Sequence, residues 1–172
     1  MASDPDKAAV YLCEDRLSRL AEAGTAVQVG TRLVAVEAEH TFTTVAAAAL
    51  FCTLTCAEMG LPPVTVRLRR GERESHYDPA RAEIALASWG ARRLVIVHEL
   101  AHHLDHCQRV GVGNDAAPGH GETPGQGAAP VHGRSFRDAM LALLRHLGLT
   151  RQAAELARLY GEAGLDLSEV RQ

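Results

Sequence analysis

The stretch Val95-Ile96-Val97-His98-Glu99-Leu100-Ala101-His102-His103-Leu104-Asp105-His106 decides how this chain is read. Hydrophobic residues Leu94, Val97, Ala101 and Leu104 recur at steps of three and four, so the segment is an amphipathic helix with one core stripe. His98 and His102 are four residues apart and stand one turn above each other on the neighbouring face. Two imidazoles so placed can hold one Zn²⁺. Glu99 follows the first of them and points beside the metal, where a base for an activated water belongs. Chance would produce His-Glu-x-x-His about 0.03 times in a chain with nine His and 13 Glu. The competing interpretation is a histidine-rich solvated helix face.

A catalytic zinc needs a third protein ligand and an open fourth position. Position 108 is Gln and position 105 is Asp, so the metzincin spacing is absent. The segment 134–147 has no glutamate, which removes the thermolysin arrangement, and Glu155 stands without a supporting motif. Downstream lies His132-Gly133-Arg134-Ser135-Phe136, a histidine at the mouth of a helix whose Phe136 enters the core. The glycine lets the backbone approach a metal closely. His120-Gly121 is a second such pair, without an aromatic anchor after it. His106 extends the face of His102 but lies about 12 Å from His98 along a helix, too far to share an ion. His103 points off that face, and His40, His76 and His146 read as surface or satisfied polar residues. Asp105 reads as a solvated acid that could instead orient a ligand ring.

HExxH followed by HGxxF resembles the SprT/Spartan-like zinc metallopeptidases, and more closely a group of small actinobacterial zinc metallohydrolases of similar length. The resemblance covers about 64–147. It implies a zincin-like fold, Zn²⁺ as cofactor, and His132 as third metal ligand beside His98 and His102, with Glu99 catalytic. Two features depart from the pattern. The segment between His102 and His132 is longer and richer in glycine, and no cysteine-rich ribbon or DNA-binding tail follows. A role on nucleic acid is therefore not carried over.

Working outward, Asp4-Pro5 reads as the start of a first helix, with Val10, Cys13, Leu17 and Leu20 on its apolar face and Gly24 at its end. Val27, Val29 and then Leu33 to Val36 read as strand. The segment 45–59 is apolar nearly all round and is expected to be a central helix. Val64, Val66 and Leu68 alternate with polar residues, and 82–87 is a second strand. The short polar link between them predicts an antiparallel hairpin. The metal helix is expected over about 89–107, a glycine- and proline-rich loop over 108–131, then helices over 134–147 and from Thr150 to about Tyr160. The sum is one α+β domain over 1–172: a small, mostly antiparallel sheet packed on helices, with the HExxH helix central.

The chain has 172 residues, of which 47% are hydrophobic and 23% charged, and its net charge is -3. That suits one soluble domain and opposes a broad nucleic-acid surface, which needs clustered cations. The opening residues lack a signal-peptide pattern and 45–56 is too short to span a bilayer, so no membrane is expected. Cys13, Cys52, Cys56 and Cys107 form no CxxC pair and are expected as free thiols in a cytoplasmic protein.

The expected activity is zinc-dependent cleavage of a peptide or small amide. A metallohydrolase of a small non-peptide substrate and a non-catalytic metal-binding module are the alternatives. If the strand before the metal helix is an edge strand, it could pair with an extended peptide. Tyr77, Tyr160 and Arg134 are candidates for polarising a carbonyl, and the loop 108–131 for a lid. Oligomeric state is left open.

Overall fold

The computed structural model describes residues 4–69, 74–111 and 131–168. His120 and most of the glycine-rich loop lie outside them. The elements are α1 (Lys7–Ala23), β1 (Val27–Val29), β2 (Arg32–Val34), α2 (Val45–Glu58), β3 (Thr65–Leu68), β4 (His76–Asp78), β5 (Glu83–Leu86), α3 (Arg93–Val110), α4 (Arg134–His146) and α5 (Thr150–Glu162). The class is α+β, as the patterning implied. Among the described residues no helix is long and apolar enough to cross a membrane.

β1 and β2 form a short antiparallel ribbon, Val27 opposite Val34, turned at Gly30 with φ 58°. The second sheet has the order β3-β5-β4. Here the expected hairpin is wrong. β3 runs parallel to β5, with Thr65 beside Glu83, and β4 pairs antiparallel on the other side, with Tyr77 opposite Ile84. The sheet is mixed, and β5 is its central strand, not an edge. Ile84, Ala85 and Leu86 are all fully buried, as a strand covered on both faces must be. β4 is only His-Tyr-Asp, too short and polar to show a period of two.

α3 is the central helix, packed against α4, α2, β4 and β5. Leu94, Val97, Ala101 and Leu104 are all buried. It starts at Arg93 rather than near Trp89. A bridge between Thr41 and Arg92 and the bond from Phe42 N–H to Ala91 C=O hold the preceding residues extended. It runs three residues beyond Cys107 and is closed by Gly111 in the left-handed region, φ 70°.

α2 is not central. It buries only Ala48, Cys52, Thr55 and Cys56, while Leu50 and Leu54 are 59% and 53% exposed. An all-apolar helix carries no polar face to mark which side turns inward, and here the small side chains do so. All four cysteines are buried free thiols.

Glu37 joins the β2 side of the molecule to α5. Its carboxylate accepts the backbone N–H groups of Arg151 and Gln152, 3.1 and 2.9 Å away, capping a helix whose own N-cap residue, Leu149, makes no side-chain cap. Burial pulls the Glu37 pKa up, but these bonds and the Arg151 guanidinium outweigh it and hold it below the usual value. A lowered carboxyl pKa stabilises the fold above the ordinary carboxyl range and is lost as pH falls. Glu37→Ala is expected to cost about 1 kcal/mol at neutral pH in urea denaturation, a gap that shrinks as pH falls below the ordinary carboxyl range.

Candidate metal centre

α3 brings His98 and His102 together on one face, Nε2 to Nε2 3.1 Å apart. His132 arrives from the turn before α4, on the helix that packs most closely on α3. Its ring centroid lies 5.3 Å from that of His98 and 4.9 Å from that of His102. One ligand nitrogen from each of the three lies within 4.8 Å of the others. Thus the three histidines singled out in the sequence converge, although 29 residues separate the second from the third.

Two things hold His132. Arg137, buried on the next turn, donates to the His132 carbonyl at 2.9 Å and to Asp6 at 2.6 Å, fixing the backbone. Asp4 Oδ2 lies 2.6 Å from His132 Nδ1. A carboxylate only accepts, so Nδ1 carries the proton and Nε2 keeps its lone pair. That Nε2 is buried and has no hydrogen-bond partner among the described residues. His98 is set in the same way: its Nδ1 faces Glu14 Oε2 at 2.7 Å, which turns Nε2 towards His102 Nε2, 3.1 Å away. Glu14 is itself held by the hydroxyl of buried Tyr160, which donates to Oε1 at 3.1 Å. Phe136, fully buried, packs on all three imidazoles with centroid distances of 5.0, 4.3 and 4.9 Å.

At two of the three rings the electrostatics disfavour a proton. Burial pushes the His102 pKa down to about 2, helped by His98 and His132. Burial also lowers His132 despite Asp4. For His98, burial acts downward but Glu14 prevails and raises it. Three lone pairs facing one space, two of them oriented by carboxylates, are a donor set that fits a tetrahedral divalent ion with one position open. The 3.1 Å nitrogen pair is close to the about 3.3 Å spacing expected across such an ion.

Glu99 is 4% exposed and not one of the converging ligands. Burial lifts its pKa to about 7; His98 opposes the lift, Glu14 adds to it, and the nearby backbone amide of Tyr77 acts against it. Tyr11 covers the rings of His98 and His132, at 5.5 and 5.1 Å, and its phenol is kept protonated by burial and by Glu99 and Glu14.

The three residues considered for polarising a carbonyl are otherwise engaged. Tyr77 hydroxyl bonds His103 Nδ1, Tyr160 holds Glu14, and Arg134 donates to Ser168. His103 faces away, its Nε2 on the Pro62 carbonyl. Asp105 is not a solvated acid: it is fully buried, pairs with Arg109, and has no bond to a ligand ring. Glu155 pairs with Arg32 and Arg158. Sequence reasoning missed Glu14, Asp4 and Tyr11. Asp4 read as a helix cap, but α1 begins one turn later at Lys7 after Asp6, and the Asp4 carboxylate is spent on His132. The one available signal for Glu14 was a carboxylate bordering the apolar stripe at Cys13 and Leu17.

Comparison of the chain with protein-family models, curated proteins and solved structures finds no match.

Proposed function

We propose that this chain is a zinc-dependent hydrolase of peptide or amide bonds, with a reduced zincin-like fold. His98, His102 and His132 hold the metal and Glu99 serves as general base and then proton donor. One observation carries the proposal: three imidazoles, two of them oriented by carboxylates, converge beside a buried carboxylate that is not among the converging groups. Three imidazoles with an open position favour zinc among the divalent metals.

Zinc, when bound, supplies a Lewis acid for the scissile carbonyl and lowers the pKa of a water to about 7. The chain does the rest. Glu99 accepts a proton on its carboxylate and delivers it to the leaving nitrogen. The carboxylate has the burial to hold that proton. Glu14 and Asp4 fix the tautomers of His98 and His132. Tyr11 and Phe136 shield the rings from water.

The test is elemental analysis and zinc titration of protein purified without a histidine tag. One zinc per chain is expected, with His132→Ala losing it. Glu14→Gln, which leaves the ligand set intact, is expected to weaken zinc about 10- to 100-fold. Unchanged affinity in His132→Ala would remove the proposed ligand set.

A further inference from the structure

A cavity of about 430 Å³ opens beside the metal centre, and His98 and Glu99 form part of its wall. It lies between α1, the N-terminal half of α3 and the segment that leads into β4. Its walls are chemically divided. Leu17, Leu94 and Met140 make a buried apolar side. Asp15 and Glu74 are exposed at its surface, and Glu14 lines it further in. Trp89, about half exposed, also borders it.

Among the described residues the charges of the lining do not balance: Glu14, Asp15, Glu74 and Glu99 line the space, with Arg92 as the lining cation. Arg92 is already paired with Glu22 and with Glu39 at 3.7 Å, two acids outside the lining. Lys7, the one lysine of the chain, sits at the rim of this region with its ammonium 5.4 Å from the Tyr11 ring centroid. A substrate carboxylate would meet Asp15 and Glu74 as like charges. A purely apolar side chain would use the Leu17–Met140 side and leave the acids unanswered. A long side chain with an alkyl stem and a cationic tip uses both, because its stem covers apolar surface while its head stays with water and counter-charge.

We infer that this cavity is the specificity pocket of the hydrolase and selects substrates with a lysine or arginine side chain next to the bond that is cut. The inference rests on the metal centre proposed above, since only that site makes the cavity a substrate pocket.

Hydroxamates separate the two questions, because the hydroxamate group chelates the metal while the side chain samples the cavity. The probes are N-acetyl-arginine, N-acetyl-norleucine and N-acetyl-glutamate hydroxamates, titrated calorimetrically into the zinc-loaded protein. The arginine compound is expected to bind about tenfold more tightly than the norleucine compound of similar stem, and the glutamate compound most weakly. In the double variant Asp15→Asn, Glu74→Gln the arginine preference is expected to disappear. Both positions are exposed, so the fold does not depend on them. Equal binding of all three, or tightest binding of the norleucine or glutamate compound, overturns the pocket assignment and leaves the metal centre standing. An arginine preference that survives in the double variant also overturns it. Failure of every hydroxamate to bind removes the metal centre, and the pocket with it.

Discussion

Glu99→Gln is expected to lower turnover of a lysine- and arginine-containing fluorogenic peptide mixture by about 10²- to 10⁴-fold while zinc stays bound. Glutamine has the volume of glutamate, so packing at this buried position is preserved. What it lacks is a site for the proton. None of the three converging ligand nitrogens belongs to residue 99, so metal content is the internal control. Elemental analysis and steady-state kinetics on the same preparation decide the matter. Equal turnover in both proteins would take Glu99 out of the chemistry. Loss of zinc together with turnover would instead make residue 99 part of the metal site.

Phe136→Ala is expected to cost about 3–5 kcal/mol in urea denaturation. The ring is fully buried and stands between the core of α4 and the three imidazoles. Removing it leaves a cavity that the neighbouring backbone can close only in part. A domain of this size has a total stability of about 5–15 kcal/mol, so a large share would be gone. The same change frees the rings of His98, His102 and His132 to rotate, and zinc affinity should fall with stability. Phe136→Leu refills much of the space and is expected to recover most of the stability. If the alanine variant proved as stable as the wild type, Phe136 would not be the anchor of the centre.

The legible part of the site is the part set by local geometry. HExxH on an apolar-striped segment puts His98 and His102 on one helix face wherever that helix ends up in the fold. His132 stood out by its place before a helix with an aromatic anchor. Glu14 and Asp4 were hidden because they meet their histidines across 84 and 128 residues, and nothing in a linear pattern records such a distance. Tyr11 looked like any residue on the outer face of an amphipathic helix.

The sheet divides in the same way. Val64–Leu68 and 82–87 were recognisable as strands from alternation and from an apolar run. Their mutual direction was not, because the three-residue β4 takes the antiparallel place that the short link suggested for β3. In α2 the composition marked a helix, yet an apolar surface on every side left its orientation to whichever neighbours were available, and the small residues were the ones buried.

From sequence alone came the α+β class, the helices, and a pair of imidazoles one turn apart with a carboxylate between them, since each depends on periods of a few residues. Tertiary structure alone decided that β5 is central, that α2 turns leucines outward, and that α1 supplies the acid that orients His98. These are choices among faces and partners of nearly equal local merit, and only the packing of the whole chain separates them.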